Sequence, residues 1–203
     1  MPTIEVIEPE VFSEVIEARQ EYGHDLHDEV WDGVYIMMPI GDVQHQSLGT
    51  EIAGVLLGLT DRPSGDRVYA GTNITDREPP EDWRENFRIP DVAVFLAGNP
   101  AEARGSHYFG GPDLAIEILS KGDRARRKLK FYASVGTREL LLIDRDPWSL
   151  ELLRLEGGTF RPVPADDAGR VTTQTVPVTW SVDVNAKAPL RLQSADETWQ
   201  LGD

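Results

Sequence analysis

With 203 residues, 40% hydrophobic and 27% charged, the chain has the composition of one globular domain long enough to bury a substantial core. It has no cysteine, which excludes thiol catalysis, cysteine-ligated zinc and a disulfide scaffold, and fits a reducing compartment. A formal net charge of −15 opposes any general attraction to nucleic acid, but residues 121–130 (KGDRARRKLK) carry six basic residues against Asp123, making this window +5 and the remainder −20.

The start, MPTIEVIEPEVF, is acidic where a signal peptide has a basic start and an apolar run. No stretch approaches the roughly 20 apolar residues of a membrane span, so the chain is read as cytoplasmic. Val11, Phe12, Val15 and Ile16 recur at helical spacing and predict a helix over 9–20. Trp31–Met38 reads as a strand behind the Asp32-Gly33 turn signal, ended by Pro39. Leu48, Ile52, Val55, Leu56 and Leu59 then form the apolar stripe of a helix over 43–59. Strands are expected at 67–70 and 88–96, and 76–87 is a loop by its Pro79-Pro80 pair and charge density.

The strongest strand signal, DLAIEIL at 113–119, follows the breakers Gly110-Gly111-Pro112. Asp123 is a suitable N-cap for a helix over 124–135, and Gly136 stops it. Strands at 139–145 and 149–155 make a hairpin around Asp146-Pro147-Trp148. From about 184 apolar residues are sparse, which predicts a single domain over 1–183 and a tail over 184–203. The order α-β-α-β-β-β-α-β-β belongs to an α/β (α+β) protein with a mixed sheet flanked by helices.

Asp113, Ala115, Glu117 and Leu119 share one face of their strand, and Leu114, Ile116 and Ile118 fill the other. A carboxylate in so apolar a run is costly to bury unless it is paired or binds a metal. Asp113 is ~13 Å from Glu117 along the strand, too far to share one cation. The preceding strand supplies a nearer partner. If 88–96 pairs antiparallel with 113–119, with Leu96 opposite Pro112, Asp91 stands opposite Glu117, and opposed residues have Cβ atoms about 4.5–5.5 Å apart. Two carboxylates so placed repel unless a cation lies between them, and Mg²⁺ or Mn²⁺ suits an all-oxygen site.

On a helical wheel Ala125, Leu129, Tyr132 and Ala133 make the buried stripe, Lys128 lies at its edge, and Arg126, Arg127 and Lys130 point outward. Lys128 either orients attacking water and stabilises transition-state charge, or runs its stem along the core edge. Lys121, Arg124, Arg126, Arg127 and Lys130 form the one dense basic surface for phosphates. Asp113 caps the turn after Pro112, orients the strand end or takes a second metal, the first being preferred. His45 either approaches the site or, as preferred, packs or caps at its helix start. Glu51 is read as a solvated helix residue rather than a carboxylate behind the site.

IPDVAVF at 89–95, PDLAIEILS at 112–120 and the Lys128-x-x-x-Tyr132 spacing resemble the PD-(D/E)xK nuclease superfamily. They resemble most its large bacterial branch of restriction-endonuclease-like proteins of unknown function, over about Glu29 to Leu155. The resemblance implies a restriction-endonuclease-like core, divalent metal at Asp91 and Glu117, and phosphodiester hydrolysis by a metal-activated water. The superfamily's lysine two positions after the acid is absent, Leu119 standing there; in this branch it has moved to the helix, which maps onto Lys128. The chain also has Lys121-Gly122 where the branch has Pro-Ser. Three functions follow: a metal-dependent DNA endonuclease, first; a nucleic-acid-binding or accessory protein that kept the fold without turnover; or a metallo-hydrolase of small phosphoesters. A homodimer is expected of an enzyme that cuts two strands.

Overall fold

The structure, a computed structural model, describes residues 9–39, 41–120 and 125–203. The described elements are α1 (Pro9–Glu21), β1 (Glu29–Trp31), β2 (Val34–Ile36), α2 (Val43–Leu59), β3 (Arg67–Tyr69), β4 (Asn73–Thr75), β5 (Phe87–Arg88), β6 (Val92–Phe95), β7 (Glu102–Ala103), β8 (His107–Phe109), β9 (Leu114–Leu119), α3 (Leu129–Ser134), β10 (Glu139–Arg145), β11 (Trp148–Glu156), β12 (Thr159–Pro162), β13 (Val171–Thr173), β14 (Val178–Val182), β15 (Leu190–Ser194) and β16 (Glu197–Leu201).

They form three sheets. The central one runs β12-β11-β10-β9-β6-β3 and is antiparallel except where β9 and β10 lie parallel, joined by the crossover through α3. A second sheet runs β2-β1-β5-β4-β8-β7, and a third β13-β14-β15-β16. The expected mixed sheet with flanking helices is present, with two further sheets around it.

Alternation in the central strands gives each face its own core. Val92, Val94, Leu114, Ile116, Ile118, Leu141 and Ile143 bury against the α2 stripe Leu48, Ile52 and Leu56, and against Val178, Trp180, Leu190 and Leu192 of the third sheet. On the opposite face Ala93, Phe95, Ala115, Leu140 and Leu142 meet Phe131 and Tyr132 of α3.

Four expectations are corrected. Asp32-Gly33 does not precede one strand; both residues have positive φ (49° and 82°) and form the two-residue turn of the β1–β2 hairpin, a geometry that Asp-Gly favours. The 88–96 strand divides at Ile89-Pro90-Asp91, because proline has no N–H for a ladder, so β5 joins the second sheet and β6 the central one. The 124–135 helix has a 3₁₀ turn over Ala125–Lys128 before α3; its expected start at Asp123 and Arg124 lies outside the described residues. A 3₁₀ turn eclipses residues three apart, which puts Lys128 under Ala125 and buries Lys128 and Phe131, while Leu129 and Ala133 are only half-buried. The stretch from 184 contains β15 and β16, whose Leu190, Leu192 and Leu201 enter the main core. Its apolar residues are few, but they fall on the inward side of alternating strands.

Candidate active site

The β6–β9 register pairs Val92 with Ile116, Ala93 with Ala115 and Val94 with Leu114. The next step places Asp91, just before β6, opposite Glu117. Both line a cleft of about 490 Å³ that also takes in Lys128, His45, Gly41, Ser120 and His27.

Glu117 is buried on the α3 face of the sheet. Lys128 Nζ lies 3.0 Å from each of its oxygens, and the Tyr132 hydroxyl donates to Oε1. Lys128 is itself only 2% exposed, and its ammonium also reaches Glu29 Oε1 at 2.8 Å. Glu29 completes its bonds with the Ile89 amide (2.8 Å) and Trp31 Nε1 (2.6 Å). Burial pushes the Glu117 carboxyl above the usual carboxylate range; the Lys128 ammonium opposes this, while Asp91 and Glu29 add to it. Burial disfavours the charge on Lys128, but Glu117 and Glu29 outweigh it and raise its pKa, so the ammonium keeps its proton.

Asp91 is the open side of the site, with its side chain 27% exposed. The Ile118 amide donates to Oδ2 at 2.6 Å, and His45 Nε2 meets Oδ1 at 2.8 Å. A carboxylate only accepts, so Nε2 carries the hydrogen. Burial lowers the His45 pKa, but the Asp91 carboxylate outweighs it and the net direction is upward.

Of the three carboxylates Glu29, Asp91 and Glu117, the Lys128 ammonium therefore meets Glu29 and Glu117, while Asp91 is held by His45 and the Ile118 amide. Arg88, the other cation acting on Glu29, directs its Nη1 at the carbonyls of Val30 and Phe87 and at Asn86. A carboxylate offers about four acceptor positions. Donors among the described residues leave two of them open on Asp91 and one on Glu117. Among the described residues no group of three His, Asp or Glu side chains is arranged to hold a metal. One or two carboxylates suffice for a hard cation that keeps much of its water, and Asp91 and Glu117 offer oxygen donors of that kind in one cleft.

The other expected residues fall elsewhere. Asp113 is buried, with Oδ2 accepting from the Leu96 amide and Asn99 Nδ2 (both 2.8 Å) and Oδ1 from Arg138 (2.9 Å). It ties the loop after β6 to the start of β9. Glu51 is half-buried on α2, where it accepts from Ser47 and from the Gly202 amide, fastening the C-terminal end to the helix. Asp42, not His45, caps α2. Arg126, Arg127 and Lys130 are exposed, and Arg126 is paired with Glu151; Lys121 and Arg124 lie outside the described residues.

Glu29 is the member of the cluster that sequence reasoning missed. Its signal was the Asp32-Gly33 turn: read as a hairpin, it makes 29–31 a strand with Glu29 and Trp31 on one face.

The family model of Uma2, described as "Putative restriction endonuclease", matches residues 15–185. No curated protein matches the chain. A crystal structure described as a "putative nuclease belonging to DUF820", from Anabaena variabilis, is similar with a TM-score of 0.58 at 20% identity, covering 74% of this chain and 83% of that one. At that identity the likeness is one of fold. Among the described residues no helix is long and apolar enough to cross a membrane.

Proposed function

The chain belongs to the Uma2 family, described as putative restriction endonucleases, and from that premise we propose that it hydrolyses DNA phosphodiester bonds with Mg²⁺ or Mn²⁺ held by Asp91 and Glu117. The observation that carries the reading is the opposition of these two carboxylates across β6 and β9 in one cleft, with Lys128 Nζ 3.0 Å from both oxygens of Glu117. A divalent cation there supplies Lewis-acid polarisation of a phosphoryl oxygen and activation of water. Asp91, open to the cleft, would offer its carboxylate oxygens to the cation. Lys128 balances part of the charge of Glu29 and Glu117 and holds the Glu117 carboxylate in place, together with Tyr132.

The exposed side chains of Arg127 and Lys130 offer phosphate contacts, and an acidic chain limits binding beyond them. The test is plasmid cleavage in Mg²⁺ or Mn²⁺, compared with Asp91→Ala. Cleavage that needs the cation and disappears in the variant supports the reading, and equal cleavage in the variant or in chelator overturns it.

One observation favours the accessory-protein alternative. Lys128 has three donors, and Glu117 and Glu29 engage them all. A lysine so held has none left for water or phosphate. Metal-dependent DNA binding without cleavage of any substrate decides for this alternative.

A further inference from the structure

His45 lies on a helix outside the sheet that carries the two carboxylates, yet its imidazole reaches 46 residues along the chain to Asp91. Several contacts fix where it stands. Arg145, at the end of β10, grips Asp42 through Nη1 and Nη2 at 3.1 and 3.0 Å. Asp42 in turn accepts the His45 amide at 2.7 Å and sets the first turn of α2. On the other side of the ring, a Cβ at Gly41 would stand 3.2 and 3.3 Å from the His45 ring carbons, so glycine there leaves the imidazole its place.

The ring is costly to keep in this position. Its Nδ1 is buried and has no hydrogen-bond partner among the described residues, and such an atom carries a desolvation penalty that packing alone does not explain. What the ring gains is one bond, Nε2 to Asp91 Oδ1. With Oδ2 held by the Ile118 amide, the Asp91 carboxylate is gripped at both oxygens from two different elements, and its plane is set.

We propose that His45 is a positioning residue for the cation site, holding Asp91 in the orientation in which its remaining lone pairs serve a divalent ion shared with Glu117. The inference rests on the metal-dependent reading above, and it extends that site to α2. A hydrogen-bonded carboxylate is restrained before the cation arrives, so the ion meets a ligand that needs no reorientation.

The experiment is titration of the full chain with Mn²⁺ alone, followed by calorimetry and by the paramagnetic resonance of free Mn²⁺. His45→Ala weakens Mn²⁺ binding by roughly 10–100-fold, and His45→Gln, whose Nε2 can donate from the same place, restores most of it. Gly41→Ala, which crowds the ring without touching Asp91, weakens binding in the same direction. Unchanged melting of each variant in chelator shows that the fold is intact. If the native chain binds no Mn²⁺, the metal reading itself fails. If it binds and His45→Ala binds equally well, the positioning role alone is overturned. Equal loss in His45→Ala and His45→Gln overturns it too, because the ring would then act as a ligand or as packing and not through its donated hydrogen bond.

Discussion

Glu29 Oε1 stands 2.8 Å from Lys128 Nζ, joining the first strand of the second sheet to the 3₁₀ turn that covers the central one. Both side chains are almost wholly inaccessible, and the same ammonium holds Glu117, so each partner depends on the others for its charge. Removing one member of a buried pair leaves the rest uncompensated. Lys128→Met is expected to cost about 3–5 kcal/mol in urea unfolding. Adding Glu29→Gln to it should recover part of that loss. Additive losses in the double variant would show that the two groups do not interact.

Tyr132 donates to Glu117 from within the core. Tyr132→Phe removes the hydroxyl and leaves the ring, so nothing is repacked. The expected loss is about 1.5–3 kcal/mol, the range for a hydrogen bond to a charged group. The same unfolding measurement checks it, and a neutral result would mean that the hydroxyl is not bonded in solution.

Asp42 provides a pH signature. Its pKa is lowered from 3.8 to about 2, first by the Arg145 side chain and then by the His45 amide. A carboxyl whose folded pKa is depressed contributes stability that is fully present above its unfolded value and lost as pH falls through the folded one. Between about pH 4 and pH 2 the native chain should lose melting temperature more steeply than Asp42→Asn, which keeps a capping oxygen but cannot titrate. Parallel melting curves over that window would exclude Asp42 as a contributor.

Gly111 has no room for a side chain. A Cβ there would lie 2.5 Å from Thr137 Oγ1 and 2.6 Å from the Thr137 amide nitrogen, and the amide is backbone that cannot swing aside. Gly111→Ala should therefore destabilise by about 1–3 kcal/mol or more, the cost of overpacking a tight site. Gly54→Ala, a helical position with nothing within 4 Å, is the control that should leave the unfolding midpoint unchanged or slightly raised.

Phosphate contacts should fall on Arg127 and Lys130, since Arg126 is already paired with Glu151. Replacing Arg127 and Lys130 with Ala should weaken binding to a duplex and lower the salt slope by about 0.9 for each lost contact. Arg126→Ala should do less, and Mn²⁺ affinity should not move in either. An equal effect of Arg126→Ala would place the DNA on the Glu151 side.

The local pattern of residues determined much of this molecule by itself. Period-3.6 spacing located α1 and α2, and alternation in LAIEIL separated the two cores, because local periodicity records which face of an element turns inward. Alternation put Glu117 on one face of its strand, but its pairing with Asp91 rested on an assumed antiparallel register, which the β6–β9 pairing of Val92 with Ile116 matches. Lys128 was legible as a basic residue near the core, but not as a saturated one. Its burial needed the 3₁₀ turn, which a wheel drawn at 100° per residue does not describe. Glu29 and His45 were decided only by the tertiary structure. Glu29 meets Ile89 across 60 residues, and His45 meets Asp91 across 46. Such partnerships come from how separate elements stack, and stacking leaves no mark in the spacing of either segment. The same reason explains β15 and β16: Leu190, Leu192 and Leu201 are too few to make their stretch look apolar, yet each is placed by the sheet where the core needs it.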